Sequence, residues 1–296
     1  WGADRLQKKR KYGNGLLLNN MSLEEALAEI QLKPDVSLKN KDVLYTHRST
    51  VEGDIYFLTN QTADKVVIFP EFRVHGLQPE LWDAVSGSMR NLPEYSYNGK
   101  STVVPLQLEA YESAFIVFRK TAAPSKTGSK NFPSSEVVTE LRNVWEVKFE
   151  RASRGPAKTI EMEELSDWSK HANEQVKNYS GTAVYTTTFN IAELPRGNSF
   201  IDLGKVMVMG KVKLNGVDVG TVWTAPYRVD VTTALKKGSN KLEVEVVNTW
   251  VNRLIGDSKL PEKERGTWLN ANPYKPESAY QSAGLLGPVK LEHIVY

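Results

Sequence analysis

The 296-residue chain has no cysteine, so disulfides and thiolate metal sites are both excluded. That absence fits either the cytoplasm or secretion of a protein with a sufficient core. Excess charge is missing too: 38 basic against 35 acidic side chains leave a formal charge of +3, which argues against an electrostatic nucleic-acid binder. The densest basic cluster, Lys8, Lys9, Arg10 and Lys11, has no interleaved aromatics and reads as a solvated face. No apolar run approaches the roughly eighteen residues of a membrane span. The chain opens on Trp1 rather than on Met followed by a charged and then apolar stretch, so its natural start is expected upstream. The lack of a signal peptide therefore says nothing about secretion.

What is present is ordinary globular material, 40% hydrophobic and 25% charged, in a length that suits two β modules. Residues 1–40 read as the remnant of an upstream α/β region. Gly15 to Leu18 is expected as a short buried strand, and Met21 to Leu32 as a helix with a Ser22/Glu25 capping box, a Leu23, Leu27 and Ile30 face, and Pro34 as its stop. Residues 41–122 show period-two runs at Asp42 to Arg48, Ile55 to Asn60, Val66 to Phe69, Val103 to Leu108 and Ser113 to Arg119. Glu52-Gly53-Asp54 and Asn98-Gly99 supply hairpin turns, so a small antiparallel sandwich is expected. Residues 123–140 are expected as a linker, since Thr121 to Ser135 is rich in Ser, Thr, Lys, Pro and Gly.

Residues 141–296 form the second expected sandwich, a jelly roll. Trp145, Val147 and Phe149 alternate with charged residues, as do Leu242, Val244 and Val246. Ala183 to Ile191, Phe200 to Leu203 and Val206 to Leu214 are further strands. Asn215-Gly216 is the strongest hairpin signal, because both central residues of a type I′ turn need positive φ. The acidic, weakly helical stretch Glu161 to Asn173 is expected as a loop across the sandwich.

Three groups of motifs carry a family resemblance. Asp42-Val-Leu-Tyr-Thr-His-Arg48, Gly53-Asp-Ile-Tyr-Phe-Leu-Thr-Asn60, Phe72-Arg-Val74 and Glu80-Leu-Trp-Asp83 resemble the β-sandwich that follows the catalytic barrel in family 106 α-L-rhamnosidases. Tyr179 to Phe189, Leu214-Asn-Gly-Val-Asp-Val-Gly220, Trp223 with Pro226-Tyr227, and Gly238-Ser-Asn240 resemble the galactose-binding-like sandwich appended to many glycosidases. Asn248 to Asp257 and Gly284-Leu-Leu-Gly-Pro-Val289 are similar to that family's C-terminal segment. The stretch from Tyr12 to Asp35 resembles the end of an amidotransferase-like region found between barrel and sandwich in related enzymes.

The resemblance implies an accessory region that braces a catalytic barrel of the same parent chain, in a bacterial enzyme acting on plant or microbial polysaccharide in the periplasm or outside the cell. In that family the catalytic glutamates belong to the barrel, so none is carried over and no catalytic residue is assigned. The residues agree. Glycoside hydrolysis needs two carboxyl groups roughly 5 to 9.5 Å apart flanking the bond, and Glu71, Glu80, Asp83, Glu94 and Glu112 lie in or beside strands of a small sandwich. Four scattered histidines, His47, His75, His171 and His293, have no zinc spacing. Gly13-Asn-Gly15 lacks a third glycine, and with no P-loop or nucleophile elbow no cofactor is implied. A structural calcium ion is compatible with such sandwiches, though no spacing singles out its ligands.

Sugar contact is a separate matter, since indole and phenol rings stack on pyranoses while Asn, Asp and Arg bond hydroxyls. Trp223 and Tyr227 follow the hairpin, and Asn252, Arg253 and Asp257 follow a strand end, so these five are the candidate sugar-binding residues at one edge of the sandwich. The competing and preferred reading has Trp223 and Trp250 closing the core or meeting the barrel. Trp82 and Trp145 read as core, and Trp268 and Tyr274 as covering the sandwich or facing a neighbour. Two other functions remain open: an autonomous lectin-like module, and a protein-interaction sandwich without sugar contact.

Overall fold

The computed structural model describes residues 7–122, 130–132, 134–150 and 154–295. The expected linker residues 123–129 and 133, with Trp1, lie outside the described residues. The chain divides into two compact units. Unit 1 comprises Trp1–Gln61, Lys65–Leu108 and Ser113–Asn131, and unit 2 comprises Thr62–Asp64, Glu109–Glu112 and Phe132–Tyr296. Both are built of antiparallel sheets, and no described helix is long and apolar enough to cross a membrane.

Unit 1 centres on a five-stranded sheet in the order Val43–Thr50, Gly53–Asn60, Ser113–Thr121, Leu77–Trp82, Met89–Asn91. Alternation along Gly53–Asn60 puts Tyr56 and Leu58 on one face opposite Ile116 and Ala114, all buried. A smaller four-stranded sheet supplies Phe72, whose ring lies 4.8 Å from that of Tyr56 and 5.3 Å from that of Phe118. The aromatic cluster between the sheets is the core of the expected sandwich. Burying each such side chain contributes about 1.5–3 kcal/mol.

The N-terminal segment departs from expectation. Gly15–Leu18 pairs with Lys9–Tyr12 as a two-stranded hairpin and is exposed or half-exposed rather than buried, because no third strand or layer covers this hairpin among the described residues. Helix α1 (Leu23–Glu29) has the expected capping box, with Glu25 N–H donating to Ser22 Oγ at 3.1 Å and Ser22 N–H to Glu25 Oε2 at 2.7 Å. It buries no residue. Strand Leu77–Trp82 carries Pro79 and Glu80 inside the sheet, two residues that hide a central strand from pattern reading.

Unit 2 packs a six-stranded sheet, ordered Ile160–Met162, Trp145–Phe149, Thr182–Ile191, Gly238–Val247, Met209–Leu214, Val217–Val222, over a four-stranded one. The second sheet runs Ser134–Glu140, Lys290–Val295, Ser199–Asp202, Arg228–Asp230. Trp145, Val147, Phe149, Leu242, Val244 and Val246 all face the shared core, as their alternation predicts. Asn215 and Gly216 take φ of 54° and 82° in the turn between Leu214 and Val217.

Unit 2 departs from expectation in three places. Residues 134–140, placed in the linker, form an edge strand; only one neighbour pairs with it and its side chains are largely exposed, so it shows no apolar alternation. Val206 to Leu214 is two strands, Lys205–Met207 and Met209–Leu214, in different sheets. Within Glu161 to Asn173, Ile160–Met162 pairs with Trp145–Phe149, and Trp168 is fully buried. The Trp168 Nε1–H donates to Tyr185 Oη at 2.6 Å, and a Cβ on Gly284 would stand 2.6 Å from that nitrogen. The Gly284 motif is thus set by an indole passing over its backbone.

Candidate functional site

The motif residues of unit 1 build a staple. His47 stacks on Tyr56 at 4.1 Å, and its two ring nitrogens lie 3.2 Å from Asp35 Oδ2 and 2.9 Å from Asp54 Oδ1. Arg73 pairs with Asp35. The Arg73 bond, ahead of the opposing effect of burial, holds the Asp35 carboxyl below the usual range. The imidazole fills the space between Asp35 and Asp54, so these carboxylates do not face a substrate-sized gap.

The other carboxylates considered for catalysis also have structural partners. Glu80 is 2% exposed and binds Trp82 Nε1 at 3.0 Å, Arg119 Nε at 2.9 Å and Lys120 Nζ at 2.5 Å. Burial pushes its pKa up, but Lys120, Trp82 and Arg119 together outweigh burial and hold it below that of ordinary glutamate. Glu94 pairs with Lys130 at 2.5 Å, Asp83 caps its own turn through Val85 N–H at 2.8 Å, Glu71 accepts from Asn98, and Glu112 accepts from Glu109 N–H at 2.6 Å. A hollow of about 430 Å³ in unit 2 is lined by Glu140, Glu163 and Glu164, yet Glu140 is ion-paired to Arg142 and the other two are exposed loop carboxylates. A general acid with raised pKa needs the opposite surroundings. Among the described residues no group of three or more His, Asp or Glu could hold a metal ion, so no ligand set is assigned to calcium.

The structure separates the five sugar-binding candidates. Trp223 is half exposed, and Tyr227 packs against the unit 2 core. Of the two α-helices among the described residues of unit 2, α2 (Glu174–Lys177) and α3 (Val251–Ser258), the second carries the other three. Asn252, 2% exposed, exchanges two hydrogen bonds with the Gln281 backbone at 2.7 and 2.8 Å. Asp257, also buried, accepts from Gly266 N–H at 2.9 Å and Thr267 Oγ1 at 2.7 Å. Both are therefore turned inward. Arg253 alone of the five lines a cleft of about 300 Å³, together with Arg154, Ser180, Asn248, Trp250 and Thr267. Burial pulls the Arg253 pKa down, Asp257 at 3.8 Å counteracts, and the Arg154 charge adds to the fall; the group stays a guanidinium at neutral pH.

Trp250, Gly266 and Thr267 are shared with an adjoining cleft of about 440 Å³ that adds Leu254, Trp268 and Leu269. Trp250 is 66% and Trp268 83% exposed, so neither closes the core. Sequence reasoning missed Arg154. It sits at a left-handed φ of 61° with its guanidinium against Gly266, where a Cβ would lie 2.5 Å from Nη1, and nothing in the sequence signals that approach. Trp223 and Tyr227 do not line this pair of clefts. Unit 1 has its own groove, about 600 Å³, lined chiefly by Val36, Leu38, Val43, Leu44, Tyr45 and Phe57.

Both units are built of antiparallel sheets, an architecture that hosts many functions and does not fix one by itself. Residues 1–97 match the glycoside hydrolase family 106 model, described as α-L-rhamnosidase, and residues 137–278 match the glycosyl hydrolase 2 galactose-binding domain-like model. Two separate stretches of the chain are thus similar to the two models, the family 106 match preceding the galactose-binding-like one. The rhamnosidase from Novosphingobium sp. PP1Y superposes with a TM-score of 0.87 at 37% identity, over 96% of this chain and 27% of that one. A putative beta-glucuronidase of Formosa agariphila is 37% identical over 210 residues, 59% of this chain and 18% of its own length. The chain therefore spans about a quarter of the solved relative and less than a fifth of the curated one.

Proposed function

We propose that this chain is the accessory region of a carbohydrate-degrading glycoside hydrolase of the α-L-rhamnosidase type, and that it braces the catalytic barrel without carrying the reacting carboxylates itself. The observation that carries the reading is the apolar groove of unit 1, where Leu44 and Tyr45 stay exposed beside Val36 and Phe57 on a stable sandwich. Exposed apolar surface of this kind marks an interaction site. The likeness to the Novosphingobium rhamnosidase supports the choice of enzyme type. Polysaccharide substrates do not cross membranes, which supports a periplasmic or extracellular site of action. The exposed indoles of Trp250 and Trp268 support a second role, sugar contact by unit 2.

The test is replacement of the matching region of the Novosphingobium rhamnosidase by this chain. A soluble, active chimera that loses activity and thermal stability with Leu44→Asp and Tyr45→Asp is the expected result; a chimera indifferent to both substitutions refutes bracing. The isolated chain is expected to leave an aryl α-L-rhamnoside untouched. Turnover abolished by a single carboxylate substitution would overturn the non-catalytic assignment.

A further inference from the structure

Two arginines from distant parts of the sequence line the same wall of unit 2. Arg154 comes from the loop after Trp145–Phe149, with its guanidinium laid on the Gly266 backbone. Arg253 comes from α3, its side chain 13% exposed and 3.8 Å from Asp257. Asp257 is already bonded to Gly266 and Thr267 through its other oxygen, and it does not line the cleft. The ionisable groups among the described lining residues are thus both cationic. The Asp257 carboxylate, 3.8 Å from Arg253, offsets part of this charge, and the surplus positive potential that Arg154 adds to the concave wall is what an anion entering the cleft would relieve. The neighbouring hollow contributes no charge but two exposed indoles, Trp250 and Trp268. A ligand filling both therefore needs an anionic group on one side and a flat, partly apolar ring on the other.

We propose that these joined clefts bind an acidic sugar unit, one bearing a carboxylate or a sulfate ester, with the anion between Arg154 and Arg253 and the pyranose ring against Trp250 or Trp268. Guanidinium forks match the paired oxygens of both anions. The inference rests on the reading of unit 2 as a sugar-contacting module and adds the class of sugar.

The whole chain is titrated calorimetrically at low salt with sodium glucuronate, glucose 6-sulfate, glucose and inorganic sulfate. At least one acidic sugar is expected to bind about tenfold or more tightly than glucose, as a charge-assisted pair requires. Preference for glucuronate or for the sulfate ester identifies the anion, and either supports the proposal. Arg154→Gly suits the left-handed backbone and removes only an exposed side chain, so it is expected to fold and to lose that preference. Arg253→Gln is the second variant, and Trp268→Ala should weaken every sugar. Equal affinity for glucose and both acidic sugars, or an acidic preference that survives Arg154→Gly, overturns the inference while leaving a sugar-contacting unit 2 intact. Inorganic sulfate binding as tightly as the sugars, with no effect of Trp268→Ala, reduces the cleft to a general anion sink and also overturns it. No binding of any sugar removes both readings of unit 2.

Discussion

Neutralising the buried carboxylate of the unit 1 sheet should cost less than removing the cation paired with it, and the reason lies in which partner is buried. Glu80 has a side chain 3% exposed, whereas Arg119 and Lys120 are 36% and 58% exposed. Glu80→Gln fills the same space, keeps an acceptor for Trp82 and returns both cations to water, so its expected cost is about 1–2 kcal/mol. Arg119→Met leaves a buried carboxylate with Lys120 as its ion partner and removes the guanidinium 4.9 Å above the Trp82 ring, for an expected cost of about 2–4 kcal/mol. The pH dependence separates the two further. In the wild type the depressed folded pKa means that Glu80 contributes stability above the unfolded glutamate value, lost as pH falls through the lower folded value. Glu80→Gln has no such acid loss. In Arg119→Met the effect of burial gains on the remaining donors, the folded pKa rises, and the deficit relative to wild type shrinks as pH falls through the carboxylate range. Urea unfolding read by hydrogen exchange in peptides covering Gly53–Asn60 and Ser113–Thr121 isolates unit 1. A glutamine variant as destabilised as the methionine variant, or one retaining the wild-type acid loss, refutes the argument.

Three further outcomes concern unit 2. Tyr185→Phe strips the acceptor shared by Trp168 Nε1–H at 2.6 Å and Leu285 N–H at 3.2 Å, both buried, and should cost about 2–4 kcal/mol by chemical denaturation; a loss under about 1 kcal/mol contradicts it. Asn215→Ala should cost about 2–3 kcal/mol because it loses the bonds to Ala234 O, Asn240 Oδ1 and Lys241 N–H and strains the left-handed φ, while Asn215→Gly keeps the φ and should cost about 1 kcal/mol less in thermal melts. Burial pushes the Asp167 carboxyl up, but Ala283, Ser282 and Ser169 together hold it below the usual range. Its contribution is present above the unfolded aspartate pKa and disappears as pH falls through the folded value, so Asp167→Asn should flatten the acid limb of the stability curve below about pH 4.

Strands with one wet face announced themselves, and strands without one did not. Trp145–Phe149 and Gly238–Val247 alternate because charged residues face solvent on the side away from the core. Leu77–Trp82 does not, because Gln78 and Glu80 are buried polar residues whose partners come from elsewhere in unit 1: the Leu92 carbonyl for Gln78, Arg119 for Glu80. Ser134–Glu140 fails for the opposite reason, being exposed along nearly its whole length at a sheet edge. The Asn215-Gly216 turn was legible since its requirement, two positive φ values, is local. By contrast the staple of His47 needs Asp35 and Arg73 from separate segments, and only folding brings these together.

The same distinction governs the site. Asn252, Arg253 and Asp257 have the chemistry of sugar ligands, yet residue type says nothing about burial, and on α3 burial divides them. Asn252 ties the helix to the Gln281 backbone and Asp257 holds Gly266 and Thr267 of the cleft lining, whereas Arg253 itself reaches the wall. Asp257→Ala would orphan the Gly266 N–H and the Thr267 hydroxyl and release the wall on which Arg154 rests, so it should abolish ligand binding together with a fall in stability of about 2–4 kcal/mol. Arg154→Gly should lose the acidic preference with no comparable fall. Melting and titration of the two variants side by side therefore separate contact from support: an Asp257→Ala protein that binds as wild type, or that keeps wild-type stability, shows that the cleft does not depend on this carboxylate.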